Sequence, residues 1–404
     1  MKSQLKADTL PLAIVISVVM LLMVMGVLLL WETNFLHFSQ RNFSRQQQAN
    51  IKSTFVIYNN YPSIIDISQD SVSIQLYDSI ASSQMIIERE QWGLYEIVSI
   101  SSADRKAHQT CILGLDSVSN NYYNFYYQDN KSALTLTGKT NIQGRVAMPT
   151  TGIIYGQMKS IFFGGKKIEN SRINKSNERL STPNIQTKRY IDNLLATQIA
   201  NATLPDDKNP YVSFYNNQPK FMYVQSNDTQ AFSLKGKIIL TGDEIVVSQE
   251  CELSDIIIVA RKVTVNKNFE GSVQIFSRDS VIIEENVKMN YPSGIFSQKY
   301  IEIGDDSHIN GYVIVDIDDK IDVKKANYIQ SRLAKVRGLL YVNGVAQLQG
   351  IVSGNAYLAR AVFYSPQGYY NDMIYDATVL GNREMAYPLW FNNTQKRKTI
   401  KWLK

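Results

Sequence analysis

Three segments in the second half of the chain share one pattern: IIIVARKVTVN at 256–266, VQIFSRDSVIIE at 273–284 and GIFSQKYIEIG at 294–304. In each segment a small residue, Ala260, Ser277 or Ser297, ends a first apolar run, a polar pair follows, and an alternating strand comes next. The pattern predicts stacked turns of short strands joined by polar bends, because one turn cannot bury its inner face alone.

Inward positions of such a stack need aliphatic or small side chains, whereas its bends accept polar ones. The aliphatic candidates for inward positions are Ile282, Ile283, Ile301 and Ile303, and the acidic candidates for bends are Glu284, Glu285, Asp305 and Asp306. The repeat resembles bactofilin-like, polymer-forming parallel β-helices over about 110–130 residues. The resemblance implies a structural, self-associating body, and an irregular β-sandwich is the alternative fold.

The region before these repeats predicts one more turn of the stack and an insertion. Residues 132–156 (SALTLTGKTNIQGRVAMPTTGIIYG) have apolar residues every two or three positions, interrupted by glycines. Residues 188–202 have helical periodicity, and Pro205 follows them. A short helix is also expected over 324–335.

The N-terminus carries the strongest single signal. No residue from Thr9 to Trp31 is charged, and a helix of that length, about 34 Å, can cross a hydrocarbon core of ~30 Å. A single transmembrane helix over 10–31 is predicted, and the following residues mark it: Leu10, Pro11, Leu12, Ile14, Val18, Leu22, Gly26, Leu30 and Trp31.

A cleaved signal peptide is the competing interpretation of this segment. Such peptides have a shorter apolar region and a cleavage site of small residues, whereas LLLWETN at 28–34 offers none. Lys2 and Lys6 favour a cytoplasmic N-terminus, which places the bulk of the chain in the periplasm or outside the cell.

Beyond the membrane segment, the chain predicts a helical stalk and then a small sheet. Residues 33–58 contain no Gly or Pro, and Pro62 follows. From about residue 70 the apolar pattern changes to period two, which indicates an antiparallel β module. A lightly charged N-terminus, a long apolar helix and a following meander together resemble type IV pilins and pseudopilins. That family's processing motif is absent, since Leu12 stands where it has Glu if cleavage follows Ala7.

The predicted fold class is mainly β with a long N-terminal transmembrane helix, a small antiparallel sheet and a parallel β-helix. The predicted segments are an N-terminal tail (1–9), the transmembrane helix (10–31), a helical stalk (32–60), an antiparallel module (61–130), a β turn with a helical insertion (131–233), the β-helix-like domain (234–375) and a basic C-terminal tail (376–404).

Composition excludes several classes of function. Two cysteines and three histidines argue against a disulfide scaffold or a zinc cluster, and a net charge of +6 over 404 residues is too dilute for a nucleic-acid interface. No nucleophile elbow, phosphate loop or dinucleotide fingerprint is present. No cofactor is predicted, and Cys111 and Cys251 are expected to be buried rather than paired.

Two acidic groups are the remaining candidates for chemistry. Asp305, Asp306 and His308 could serve a glycan-cleaving enzyme, which needs paired acids. Asp316, Asp318 and Asp319 could supply oxygens to a metal ion. Both groups are equally suited to hydrogen-bonding the backbone of bends.

The functional hypothesis is therefore a non-enzymatic, single-pass envelope protein with a structural, assembly or adhesion role. A pilin-like plan is one form of that role. Its expected partners are the membrane and either other envelope proteins or further copies of itself. The alternatives are a membrane-tethered polysaccharide-active enzyme and a cytoplasmic-facing membrane scaffold.

Overall fold

The computed structural model describes residues 9–65, 69–78, 81–117, 122–158, 160–196, 210–215, 218–224, 231–318, 322–366, 368–381, 384–391 and 396–403. The chain forms two compact units. The first takes in residues up to 56 together with 72–87 and 100–109, and the second comprises 57–71, 88–99 and 110–404.

The described chain is mainly β, with 50% of its residues in strands and one long apolar helix at its N-terminal end. The α-helices are α1 (Thr9–Asn60) and α2 (Ile185–Ala196), and short 3-10 helices lie at Pro62–Ile64, Ala81–Ser83 and Asn170–Arg172. The strands are β1 (Ser71–Gln75), β2 (Gln84–Trp92), β3 (Tyr95–Ser102), β4 (His108–Leu115), β5 (Phe125–Tyr127), β6 (Leu134–Thr137), β7 (Asn141–Ile142), β8 (Val146–Met148), β9 (Ile153–Tyr155), β10 (Gln157–Met158), β11 (Ile161–Phe162), β12 (Ile173–Lys175), β13 (Tyr211–Val212), β14 (Lys220–Tyr223), β15 (Ser233–Gly236), β16 (Ile238–Val247), β17 (Glu252–Val265), β18 (Glu270–Ile283), β19 (Lys288–Ser297), β20 (Tyr300–Ile303), β21 (His308–Asp316), β22 (Tyr328–Gln330), β23 (Lys335–Leu348), β24 (Gly350–Ser365), β25 (Gly368–Asn371), β26 (Met373–Tyr375), β27 (Ala377–Leu380) and β28 (Arg397–Leu403).

Helix α1 is continuous over 52 residues. Its one proline, Pro11, lies in the first turn, where the missing N–H would have no partner within the helix. The second half of α1 has a buried stripe at intervals of three or four residues, formed by Gln47, Asn50, Ile51, Thr54 and Phe55. Within the first unit, the Gln47 side-chain amide donates a hydrogen bond to the Ser82 carbonyl at 2.8 Å, so this half of the helix packs against protein.

The small sheet is antiparallel and has the order β1-β2-β3-β4-β28. Its first four strands lie where the period-two pattern predicts them. Its fifth strand comes from the far end of the chain, since β28 pairs with β4 in the register Arg397↔Leu115. The segment predicted as a basic C-terminal tail (376–404) therefore contains a strand of this sheet.

Most of the remaining strands form a large parallel sheet that closes into a six-strand barrel. Strands β26-β6-β9 form a separate three-stranded sheet, and β10-β11 form a two-stranded one. Strands β16, β17, β18, β19, β21, β23 and β24 pair in parallel, each with the next in that order. The predicted alignment of the three repeats is confirmed, because Ala260 faces Ser277 and Ser277 faces Ser297 in the register.

The interior of this sheet is a single apolar cluster of alternate residues from successive strands. Ile283, Ile301 and Ile303 are buried in it, as predicted. The prediction for Ile282 was wrong, because the strand alternates Val281 in, Ile282 out and Ile283 in. The acidic bend residues lie as predicted in turns, at 284–287 between β18 and β19 and at 304–307 between β20 and β21.

Residues 125–148 join this sheet at an unexpected place. Strands β5, β6 and β7 pair in parallel with β24, β26 and β27, near the C-terminal end of the chain. The boundary predicted at residue 130 was therefore wrong, since Phe125–Tyr127 belongs to the parallel sheet rather than to the antiparallel module. The segment that follows the insertion, β13 and β14, pairs instead with β15 and β16.

One outer face of the parallel sheet is also buried. An aromatic column follows the strand register, with Phe276 facing Phe296, Tyr341 facing Tyr357, and Tyr357 facing Tyr126. Trp390 packs on this column, as does α2 through Ile191, Leu194 and Leu195. Helix α2 covers the first part of the predicted helix 188–202, of which residues beyond 196 lie outside the described chain. The short helix expected over 324–335 was wrong, because that segment holds turns and strand β22.

Strand β28 is held by a buried ion pair. The Arg397 guanidinium donates to Glu96 at 2.6 Å and 3.4 Å, and the Tyr58 hydroxyl donates to the same carboxylate at 3.2 Å. The Arg397 and Glu96 side chains are only 2% and 4% exposed.

We expect removal of one member of this ion pair to cost more than removal of both. Arg397→Met leaves a buried carboxylate uncompensated and should lower the free energy of unfolding by about 3–5 kcal/mol. Glu96→Leu combined with Arg397→Met should recover most of that loss. Urea denaturation of the full chain in detergent, followed by circular dichroism, measures both variants. A double variant less stable than Arg397→Met alone would contradict the expectation.

Three glycines stack at one corner of the parallel sheet. Gly311 faces Gly338, and Gly338 faces Gly354, all with φ between 131° and 151°. A Cβ at Gly338 would lie 1.8 Å from the Gly311 carbonyl oxygen. Only glycine therefore permits the backbones to approach this closely.

Replacing the central glycine should be severely destabilising. We expect Gly338→Ala to lower the free energy of unfolding by roughly 2–5 kcal/mol, from backbone strain and overpacking. Gly164→Ala is the matched control, because its new Cβ would lie 3.9 Å from the nearest heavy atom. The same urea denaturation measures both, and equal midpoints for the two variants would refute the expectation.

Candidate functional site

The N-terminal half of α1 presents an apolar surface with no protein partner in the described chain. Its large hydrophobic side chains from Leu10 to Trp31 are 47–70% exposed. All nine residues that mark the predicted membrane segment lie on this stretch. A helix of this length and composition is consistent with a single membrane anchor or with a signal sequence, and its orientation does not follow from the fold.

The apolar surface continues beyond the predicted membrane segment. After the charged Glu32, the helix exposes Phe35 (61%), Leu36 (52%), Phe38 (64%) and Phe43 (45%). At 100° per residue these four lie on one side of the helix, away from His37. Helix α1 therefore has two successive exposed apolar surfaces. The first, over residues 10–31, is as long as a bilayer core, and the second, formed by Phe35, Leu36, Phe38 and Phe43, lies beyond it.

The three candidate catalytic residues serve the turn between β20 and β21 and the start of β21. The Asp305 carboxylate accepts a hydrogen bond from the Leu333 backbone N–H at 3.1 Å. Asp306 has φ 54°, a conformation that Asp tolerates in turns. His308 faces Lys288 and Lys335 in the register, and burial together with these two ammonium groups lowers its pKa. Asp305 and Asp306 therefore lie in the turn between β20 and β21, and His308 lies in a paired strand.

The metal candidates lie beside a lysine that the sequence reasoning missed. Lys188, on α2, places its ammonium 2.7 Å from Asp318 and 3.5 Å from Asp316. Asn343, on β23, donates to Asp316 at 2.9 Å. Asp319 lies outside the described residues. The lysine occupies the position between two carboxylates where a cation would bind, and no group of three metal-ligating side chains occurs among the described residues.

The pKa values of Lys188 and Asp316 are both raised, for different reasons. Burial raises the pKa of Asp316, against the opposing effects of the hydrogen bond from Asn343 and the charge of Lys188. Burial alone would lower the pKa of Lys188, but the hydrogen bond to Asp318 and the charge of Asp316 together raise it. The surroundings therefore favour the charged form of Lys188, whereas they disfavour the charged form of Asp316.

Lys188, Asp316 and Asn343 line a pocket of about 520 Å³ on the second unit. Its walls come from the segment 179–192, including the start of α2, from the end of β21, and from β23. Three further charged residues, Arg179, Arg189 and Asp192, also line this pocket. The basic residues at 179 and 188–189 were visible in the sequence, but they lie far along the chain from Asp316.

Both cysteines are buried and free. Burial raises the pKa of the Cys111 thiol, and the Glu96 carboxylate adds to the effect. The prediction that Cys111 and Cys251 are buried rather than paired is confirmed.

No protein-family model, curated protein or solved structure matches this chain.

The buried carboxylate should make stability depend on pH in a defined sense. Because burial raises the folded-state pKa of Asp316 above its unfolded value, ionisation of this carboxylate lowers the free energy of unfolding. This loss is absent below the ordinary Asp pKa of about 4, grows as the pH rises from there to the folded-state pKa, and is complete above it. Asp316→Asn removes this penalty. The variant should therefore gain stability relative to the wild type between pH 3.5 and 7, as measured by urea denaturation in detergent.

Asp279→Asn is a control of opposite sign. The hydrogen bond from Lys299 lowers the pKa of Asp279, against burial and with help from Arg261. Its carboxylate contributes stability above the unfolded pKa that is lost as the pH falls. The variant should lose stability relative to the wild type as the pH rises towards about 4, whereas Asp316→Asn gains stability relative to the wild type above that value. A shared direction for both variants would contradict the assignment.

Proposed function

We propose that this chain is a single-pass, membrane-anchored envelope protein whose β-rich body has a structural role in assembly or adhesion. The observation that carries the proposal is the uncharged half of α1, whose large apolar side chains are about half to two-thirds exposed. In water this surface would be unfavourable at roughly 25 cal/mol per Å². A bilayer removes that cost over a length that matches its hydrocarbon core.

An uncleaved anchor is favoured over a signal peptide. The apolar stretch exceeds the ~7–15 residues of a signal sequence, and no small-residue cleavage site ends it. The same helix continues into its buried half without a break. The lysines at positions 2 and 6 support a cytoplasmic N-terminus, with the body on the far side of the membrane.

For the body we propose a parallel β-helix. Successive strands advance in one direction along the chain and pair in parallel, and the inward residues of each strand pack on those of its neighbours. Such stacks are elongated and rigid, and they suit a structural role. The Asp305 carboxylate already accepts a hydrogen bond from the Leu333 backbone N–H of another turn, and no observation favours an enzyme over this role.

The assembly role is supported by the second apolar surface of α1. Phe35, Leu36, Phe38 and Phe43 remain exposed beyond the bilayer-spanning length. We take the occupant of this surface to be the corresponding helix of another subunit, as in the pilin-like plan. Helix packing of apolar ridges would bury these side chains.

Membrane extraction tests the anchor. Wild-type protein should stay in the membrane fraction after alkaline carbonate washing, with an intact mass that includes residues 10–31. Val18→Lys with Leu22→Lys should release it, since each charge at the centre of a spanning helix costs at least about 2.5–3.5 kcal/mol. Gln46→Lys with Gln48→Lys, outside the apolar stretch, is the charge-matched control. A soluble mature form that begins after Trp31 would overturn the proposal.

Protease digestion of intact and permeabilised cells decides the orientation. Digestion of the body only after permeabilisation of the outer barrier, with an inner membrane still sealed, supports export. Protection until the inner membrane is opened would favour the cytoplasmic scaffold instead.

Cysteine cross-linking tests the assembly surface. Phe35→Cys should form cross-links to a second subunit in native membranes, and His37→Cys, at a similar depth on the opposite side, should form few. The native thiols are buried and give little background. Equal cross-linking at both positions would argue against a specific helix contact.

A further inference from the structure

The pocket beside Lys188 has the composition of a binding site for a small anionic ligand. It encloses about 520 Å³, within the usual range for small-molecule sites of roughly 300–1,000 Å³. Its position differs from that of the apolar helix that carries the proposed function. The inference drawn from it does not depend on that function.

Two guanidinium groups line this pocket. Among the described residues, neither Arg179 nor Arg189 forms a salt bridge or a side-chain hydrogen bond. Other arginines of this body are engaged, as Arg261 is with Asp243, Glu244 and Asp279. A guanidinium recognises carboxylates and phosphates through paired, charge-assisted hydrogen bonds. The lining carries Arg179, Lys188 and Arg189 against Asp192 and Asp316, so its formal charge is positive and suits an anion.

The carboxylates of the pocket have basic neighbours. Lys188 lies between Asp316 and Asp318, so the buried carboxylate has an internal partner. Asp192, which also lines the pocket, follows Arg189 by three residues on α2, so the two side chains occupy neighbouring positions on the helix surface. This arrangement disfavours polyamines as ligands.

Neutral acceptor groups complete the lining. Gln128, Thr182 and Asn343 present amide and hydroxyl oxygens, which accept hydrogen bonds from ligand hydroxyls. Asn343 uses its amide nitrogen on Asp316, which fixes the orientation of that side chain. Leu180 and Pro183 add an apolar wall. The combination of cationic, neutral acceptor and apolar groups matches a molecule with an anionic group and several hydroxyls.

We propose that this pocket binds an acidic sugar, with its carboxylate or phosphate held by Arg179 and Arg189 and its hydroxyls held by the neutral acceptors. A uronic acid and a sugar phosphate share this chemistry. The ligand would then be an acidic glycan or a phosphorylated saccharide, and the site would serve recognition without bond cleavage.

Calorimetric titration of the full chain in detergent tests the proposal. The probes are glucuronate, digalacturonate and glucose 6-phosphate, with glucose, glucosamine and glycine as comparisons. We expect saturable binding of at least one acidic probe, with affinity at least tenfold above that for glucose. A preference for the uronic acids or for the phosphate identifies which source of negative charge the site accepts.

Variants show whether the arginines form the site. Arg179→Gln with Arg189→Gln should weaken acidic-sugar binding by about 100-fold, since loss of each charge-assisted contact costs about tenfold or more. Both side chains are exposed, so the fold should survive, which the urea midpoint verifies. Arg172→Gln with Lys175→Gln changes the net charge equally outside the pocket and should leave binding unchanged.

Three outcomes would overturn the proposal. The first is no saturable binding of any acidic probe. The second is equal binding by the pocket variant and the wild type, or equal loss in the control variant. The third is tighter binding of glycine or glucosamine, which would assign the pocket to an amine ligand.

Discussion

The constraint on which the structure depends is that a strand in a parallel stack buries its inner side chains only against its neighbours. Val281, Ile301 and Val313 are fully buried, each on a different strand of the same interior. Parallel pairing in a fixed register keeps inward residues above inward residues, because a shift of one position would turn every side chain to the other face. The same register aligns Gly311, Gly338 and Gly354, where two backbones approach too closely for a side chain.

The outer face of the stack is fixed by a second set of contacts, centred on Gln274. Its side-chain oxygen accepts hydrogen bonds from the Leu94 N–H at 2.9 Å and the Tyr312 hydroxyl at 2.8 Å, while its nitrogen donates to the Trp92 carbonyl at 3.1 Å. A buried amide with both ends satisfied positions its partners precisely enough to specify one arrangement. The turn at Gly93, with φ 62°, is held against the parallel sheet in this way.

The long helix and the pocket illustrate two different relations between charge and burial. In the N-terminal half of α1, the absence of charge over a full bilayer length makes an exposed surface tolerable only in a non-aqueous environment. In the pocket, Lys188 lies between two aspartates, and the lining also carries Arg179, Arg189 and Asp192. Buried Asp316 has its pKa raised by burial even with Lys188 beside it, so this carboxylate is held in place at some cost in stability.

The sequence by itself determined the elements whose signals are local. The apolar stretch from Thr9, the alternation after residue 70 and the repeats at 256, 273 and 294 each correspond to observed helix or strand, because periodicity reports which face of a segment is buried. Within a repeat the phase of Ile282 was misjudged, since two adjacent isoleucines fit either face.

Only the tertiary structure decided which distant segments meet. The stacking of Phe125 on Ala356, the addition of Arg397 to the antiparallel sheet and the approach of Lys188 to Asp316 each join residues more than 100 positions apart. The pattern in a single sequence indicates which face of its own strand or helix a side chain lies on. It does not indicate which distant segment packs against that face, because any apolar row can pack on any other of matching shape. Which rows meet depends on how all the strands stack together.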